Sequence, residues 1–462
     1  MQDLTTGSVT RHLLKTTSFM LVTMVFQTLY FLIDLYWVGK LGTDAVAAVG
    51  IAGNLTFVVL AATQMLGVGT TTVVSHAVGR KDHDGACMMF NQSQVLSVLV
   101  GFVFFVVAMI WRVSYSNSMS ADALTASLAA EYLLWFIPAM GLQFLMVAMG
   151  AALRGVGNFK PTMLVSTVTV IINMVLAPFL IFGWGTGRAF GVAGAAISSL
   201  VAIVIGIVWL TIYFLPRDSY LRFVVADWKP KLATWKRMIA IGLPSGVEFV
   251  LMAVYIAIVY AIAKPFGAAA QAGFGVGGRI IQAGFMPVVA LGFSVAPVAG
   301  QNFGARQRAR VIEAFKHAAY IATAFMVLFT ILCHIAPVAM VRVFLKDPAA
   351  IAVGEEYLRI ISLNFVASGL IFVNASMFQA MGNTIPSLIT SSVRIVVVAI
   401  PALVLSTMAG FDLTWVWYLS VLSVLVQLAL SAYLLRREFA RRLSFPAPEP
   451  AAASVPAPAV PA

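Results

Sequence analysis

Twelve long apolar runs decide what this chain can become. A helix that crosses a bilayer needs about 20 mostly apolar residues. Runs of that kind occupy residues 13–38, 45–74, 91–111, 128–152, 161–183, 190–215, 238–262, 270–299, 317–341, 357–381, 386–409 and 413–436. Several are longer than a bilayer requires, which implies tilt or extension into water. Pro287 and Pro297 predict kinks in the eighth. Only 10% of the residues are charged and 61% are hydrophobic, where an average soluble domain carries roughly 25% charged residues. That is too little charge to cover a water-exposed surface. A soluble globular enzyme and a disordered chain are both excluded, and the predicted class is an all-α integral membrane protein.

The placement of charge then orients the helices. An even number of crossings puts both termini on one side. Of the 29 Lys and Arg residues, 20 fall at the termini and in the loops that share their side, 6 fall on the opposite side, and Arg279, Arg359 and Arg394 fall inside helices. The side rich in Lys and Arg is the cytoplasmic one. The net charge of +12 is therefore a topology signal that faces anionic lipid, and no nucleic-acid partner is needed. Arg11 and Lys15 precede the first run, but no small-residue cleavage site follows, so a retained helix is expected.

The longest internal hydrophilic stretch, 216–237, splits the chain into two sets of six helices. The expected divisions are a cytoplasmic N-terminus (1–12), an N-lobe (13–215), an inter-lobe loop (216–237), a C-lobe (238–436) and a basic, then Pro/Ala-rich, disordered tail (437–462). One constant, ungapped offset relates three separated blocks. Leu41-Gly42 and Gly50 match Phe266-Gly267 and Gly275; Gly67 and Gly79 match Gly292 and Gly304; Gly157-Asn158 and Pro161 match Gly382-Asn383 and Pro386. Six helices per unit make the two repeats parallel, related by an axis along the membrane normal.

Enzyme chemistry finds no foothold. There is no nucleotide-binding glycine loop and no Walker lysine. Cys87 and Cys333 make no disulfide framework, and the five His residues show no zinc spacing. Any transport is then driven by an ion gradient or is passive. A carboxylate inside a membrane is costly and points to function. Two lie clearly within the predicted helices, Asp34 and Glu248. Gln27 and Tyr30 share a helical face with Asp34 and make a polar stripe. A desolvated carboxylate can exchange a proton near neutral pH, or help hold Na⁺. Asp34 can also be read as an interfacial acid reaching water. Glu248, near the midplane, is either a site residue or the partner of Arg279 or Arg394 in a buried ion pair. Arg279 could line a cavity, and Arg394 is expected to snorkel toward the cytoplasm. Asn173 suits ion coordination or a helix–helix hydrogen bond, and Tyr132 suits either the site or an interface anchor.

These residues sit in motifs that together resemble the multidrug and toxic compound extrusion (MATE) family. The motifs are QTLYFLIDLYWVGKLGTDAVAAVG (27–50), GVGTTTVVSHAVGRKD (67–82), ALRGVGNFKPTM (152–163), INMVLAPFLIFG (172–183), IGLPSGVEF (241–249), FGVGGRIIQAGFMPVVALGFSVAPVAGQNFGA (274–305) and FQAMGNTIP (378–386). The resemblance covers about residues 8–437. It implies twelve transmembrane helices in two six-helix lobes forming a V, in the bacterial inner membrane. It also implies antiport: uptake of H⁺ or Na⁺ drives export of small cationic amphipathic compounds, with no other cofactor, and a monomer suffices. Carried over by position, Asp34 matches the family's first-helix acid. Gln27, Tyr30, Tyr132 and Asn173 match polar positions around the first-lobe cavity. Ala177, Met252 and Ser368 stand where family branches carry further acids, so a single strong carboxylate is expected there. One carboxylate suffices for a proton, which favours H⁺ over Na⁺; a Na⁺ site would use Asp34 and Asn173 with other neutral oxygens. Asp34, Asn173 and Tyr132 are the candidate ion-coupling residues; Gln27 and Tyr30 in the first lobe, with Glu248 and Arg279 in the second, are the candidate substrate residues. The open alternatives are a lipid-linked saccharide flippase of the same superfamily and a passive channel.

Overall fold

The computed structural model describes residues 3–445 apart from 186, 217, 218 and 409. Of the tail expected from 437, residues 437–442 instead continue the last helix, where the Glu438–Arg442 pair forms at 2.8 Å; the part from 446 on, and Arg217, lie outside the described residues. The described chain is helical throughout: α1 (Val9–Gly39), α2 (Thr43–Gly79), α3 (His83–Met119), α4 (Ala123–Gly155), α5 (Phe159–Phe182), α6 (Gly191–Phe214), α7 (Leu232–Ala263), α8 (Gly267–Gly304), α9 (Arg308–Ile335), the short α10 (Pro337–Arg342), α11 (Pro348–Ile361), α12 (Phe365–Ala380), α13 (Ile385–Leu405) and α14 (Leu413–Arg442).

Eleven continuous segments are long and apolar enough to cross a membrane, because α7 and α8 run on through a 3₁₀ turn as one stretch of 73 residues. At 1.5 Å per residue a straight helix of that length would extend about 110 Å, against a hydrocarbon core of about 30 Å. The chain turns back at Gly267, whose φ of +86° is open to glycine and strained for other residues. Twelve crossings result. The tenth is α11 and α12 joined by a 3₁₀ turn at Ser362–Asn364. It starts at Pro348, well before the apolar run that announces it. Asp347 caps it by accepting from the Ala349 and Ala350 N–H groups, a start signal that hydropathy alone misses. Its first turns carry the Glu355–Arg359 pair at 3.0 Å and Glu356, which accepts from Thr414 at 3.1 Å.

Two cores form. One gathers residues between Val38 and Ile241, the other those between Val259 and Leu443 together with Leu4, Val9 and Leu13. The repeat is written into the backbone. Lys81 and Arg306 both take a left-handed conformation, with φ of 59° and 57°, and Gly157 and Gly382 do so at 77° and 72°. Each pair is related by the offset that carries Gly42 onto Gly267. For a lysine or an arginine that conformation costs roughly 1–2 kcal/mol, so the turns after α2 and α8 are held by the helix ends they close. The hydrophilic segment between the sets is also tied down. Asn91 of α3 donates to Arg222 O and accepts from Val224 N and the Trp228 indole, while Gln92 accepts from Lys231 N at 2.8 Å.

The halves meet near the end of the bundle that holds both termini. His76 of α2 lies 2.7 Å from Ala380 O, and Gln301 of α8 donates to Gly155 O at 2.8 Å. His76 and Gln301 are repeat equivalents, and so are Gly155 and Ala380. A Cβ on Gly79 would collide with Gln301 O, and one on Gly304 with His76 O, so glycine permits the close crossing of α2 and α8. Leu4, fully buried, adds its N–H to Gln301 Oε1 at 3.1 Å, and its carbonyl accepts from Asn302 at 3.0 Å. The Phe445 ring reaches Phe303 at 5.7 Å. Among the described residues, the cross-half hydrogen bond farthest from this end is the weak one from Thr28 to the Met286 sulfur. The bundle is thus closed at the terminal end.

Candidate substrate and ion-coupling site

Residues on α1 build the first half of the site. Tyr30 and Asp34 are four residues apart and therefore share a face. Asp34 is 8% exposed, Tyr30 is half-buried and Gln27, a turn nearer the terminal end, is exposed. The Tyr30 hydroxyl lies 2.8 Å from Ser199 Oγ on α6. Ser199 Oγ also lies 3.1 Å from Ala195 O. Asn173 of α5 donates to both Ser198 and Ser199, each at 3.1 Å. Tyr132 of α4 is 2% exposed, packs on Phe136 at 4.9 Å, and lies within electrostatic range of Asp34 and Tyr30. Four of the residues singled out from sequence, Tyr30, Asp34, Tyr132 and Asn173, come together on α1, α4 and α5.

Asp34 Oδ1 is buried with no hydrogen-bond partner, and no cation lies within 4.0 Å among the described residues. An unpaired carboxylate out of water costs several kcal/mol as an anion. The arrangement can therefore take up a proton or a small cation and change the local bonding when it does. No group of three or more His, Cys, Asp or Glu suited to a metal occurs among the described residues. A Na⁺ ion here would have to draw on Asp34 and the neutral oxygens of Asn173 and Tyr30.

The other candidates lie in the second half. Glu248 of α7 is half-buried, faces the Ser387 and Ser391 hydroxyls of α13, and leaves Oε1 unpartnered. Of its two readings, the ion pair is not formed: neither Arg279 nor Arg394 comes within 4.0 Å of it. Arg279, on α8, is exposed. Arg394 does not snorkel. Its guanidinium sits over the Tyr255 ring at 5.2 Å, and its Nε is buried without a partner. Arg154 departs most from the sequence reading, which placed it with the loop charges. It lies within α4 and reaches across to α8, 5.8 Å over the Phe293 ring. Ser198 and Ser199 escaped notice altogether. Their one signal is a pair of adjacent hydroxyls in the otherwise apolar run of α6.

Two related six-helix halves, closed at one end and carrying a buried acid among neutral hydroxyls, define a multi-pass membrane transporter and not an enzyme. The model of the MatE family matches two segments, residues 20–179 and 244–405, one in each half. The chain belongs to the MatE family of membrane transporters. It is 24% identical over 376 residues to a protein of Shewanella oneidensis called an FAD transporter, covering 80% of this chain and 82% of that one. It is also 24% identical over 365 residues to the multidrug export protein MepA of Staphylococcus haemolyticus, covering 79% of each. A solved outward-facing multidrug resistance MATE transporter superposes with a TM-score of 0.88 at 24% identity, over 95% of this chain and 98% of that one. That likeness shows the fold.

Proposed function

We propose that this protein is an H⁺-coupled efflux antiporter for small cationic amphipathic organic compounds, with Asp34 as the proton site. It would act in the bacterial inner membrane with both termini in the cytoplasm. The observation that carries the reading is the burial of Asp34 without any cationic partner, next to the Tyr30–Ser199–Asn173 chain. Protonation neutralises the carboxylate and changes what it can accept or repel. Differential affinity between states is what alternating access requires. Closure at the terminal end corresponds to a state open to the outside, in which substrate leaves and the proton enters. The named multidrug export relatives support export of drug-like molecules.

The test is efflux of ethidium from proteoliposomes under an imposed pH gradient and, separately, an imposed Na⁺ gradient. Flux under the pH gradient alone, lost in Asp34→Asn, is the expected result. Flux under Na⁺ alone would replace the proton with a metal ion. Full pH-driven flux in Asp34→Asn would remove Asp34 from the coupling step.

A further inference from the structure

The second half repeats the frame of the Asp34 site with opposite charge. Tyr255 of α7 is the repeat equivalent of Tyr30, and its hydroxyl is 3.0 Å from Ser420 Oγ on α14, as Tyr30 is bonded to Ser199 on α6. Tyr357 is the equivalent of Tyr132 at the same offset and is likewise buried. Where Asn173 of α5 reaches the first tyrosine–serine bond, Arg394 of α13 lies against the second, over the face of Tyr255. Where Asp34 stands in the first half, the second half has Val259, 1% exposed. So a cation, with no carboxylate within 4.0 Å among the described residues, occupies the frame that holds an acid in the other half.

Its surroundings offer donors and aromatic faces. Arg394 Nε and the Trp417 indole Nε1 are both buried without an acceptor. Trp417 is 2% exposed and is one helical turn from Ser420. The Trp417 ring stacks on Phe274 at 5.5 Å and meets Tyr357 edge-on at 4.7 Å. Arg394 and Tyr260 lie within electrostatic range of Tyr357. Buried donors left unsatisfied are costly, and an anionic group would give these donors a charge-assisted acceptor. A groove of about 440 Å³ lies farther out, at the ends of α7 and α13, and holds none of the Arg394, Tyr255 and Trp417 side chains. Ala261, Pro265, Phe266, Leu403 and Phe411 line it.

We propose that Arg394, Tyr255 and Trp417 form a second-half subsite for the anionic group of an aromatic amphiphile, a phosphate, sulfonate or carboxylate, with the aromatic body held on the neighbouring rings. This rests on the reading of the protein as an exporter of small amphipathic compounds. It widens the substrate class from cations to molecules that bear a negative group. A guanidinium over a ring gives the anion a bidentate donor, and the indole N–H adds a further donor.

The test uses a matched pair of fluorescent probes that share one ring system: flavin mononucleotide, which carries a phosphate, and riboflavin, which does not. Binding to the purified full-length protein is measured by fluorescence for wild type, Arg394→Gln, Arg394→Lys and Trp417→Phe. The wild type should prefer the mononucleotide by about tenfold or more, as expected for a charge-assisted contact. Arg394→Gln should erase the preference, so that the two probes bind the variant equally. Arg394→Lys should keep part of it, and Trp417→Phe, which keeps an aromatic ring but loses the donor, should weaken it by a few-fold. Equal binding of the two probes by wild type, or an undiminished preference in Arg394→Gln, overturns the proposal. If Arg394→Gln fails to fold, an unchanged preference in Trp417→Phe overturns it as well. Ethidium efflux by Arg394→Gln is followed in parallel. If wild type exports no ethidium yet discriminates the probes, the export reading fails and the subsite stands.

Discussion

Tyr30 with Ser199 and Tyr255 with Ser420 are the same joint built twice. Each tyrosine comes from the first helix of its half and each serine from the sixth, at 2.8 Å and 3.0 Å. What stands beside the joint differs. The first half sets Asp34 and Asn173 there, and the second sets Arg394 against Tyr255 and leaves Val259 at the position of the acid. The joint is a packing element, held by neutral hydrogen bonds that cost little to keep. The charged groups cost several kcal/mol each to bury and persist where a task holds them. The two halves share the scaffold and carry different charges. The terminal-end closure did not diverge in this way: His76 and Gln301 differ, yet both bridge to a carbonyl of the opposite half.

The widest separation between the halves should appear in coupling. Asp34→Asn should lower gradient-driven ethidium efflux by about 10- to 100-fold, the usual range of a coupling free energy, and Arg394→Gln should lower it by less. Equal losses in proteoliposome flux would end the idea that the two halves divide the work. The closure should respond next, and symmetrically. Gly79→Val and Gly304→Val each force a side chain into a carbonyl of the other half, so each should cost about 1–3 kcal/mol by overpacking. Thermal unfolding in detergent reads this, and a loss in only one variant would show that the two crossings are not equivalent.

Smaller effects belong to the joints themselves. Asn173→Ala removes the donor to Ser198 and Ser199, and Ser420→Ala removes the partner of Tyr255. Each should cost about 1 kcal/mol, measured as a shift in unfolding midpoint. A cost several-fold larger for Asn173 would mean that the first joint bears on the Asp34 network as a whole. The smallest effect lies at the caps outside the membrane. The Thr125 N–H holds the Asp122 carboxyl below the usual carboxylate range, and the Thr414 N–H does the same for Asp412. A depressed folded-state pKa stabilises above the unfolded value of about 3.9 and is lost as pH falls through the folded value. Unfolding midpoints should therefore drop slightly below about pH 4, and the drop should shrink in Asp122→Asn and Asp412→Asn.

Asp34 was legible as a candidate because an acid in an apolar run stands out, and the structure shows it buried. Tyr30 came with it through helical spacing. Ser199 was not legible, because its meaning lies in a tyrosine 169 residues away. Arg154 misled because a basic residue near a helix end reads as a loop charge, while its side chain in fact lies between the halves. Arg394 misled for a related reason: a long cation inside a helix suggests snorkelling, and only the Tyr255 ring beneath it shows otherwise.

Residue order alone determined that this chain crosses a membrane, how many times, and that its halves repeat. Those facts follow from lengths of apolar sequence set against a bilayer of fixed thickness, and from glycines at a constant offset. The tertiary structure decided which polar groups meet, that the terminal end is closed, and that Leu4 is locked into that closure. Hydrogen bonds and charge contacts act over a few ångströms, and the partners that form them are brought within that distance only by the packing of helices far apart in the chain.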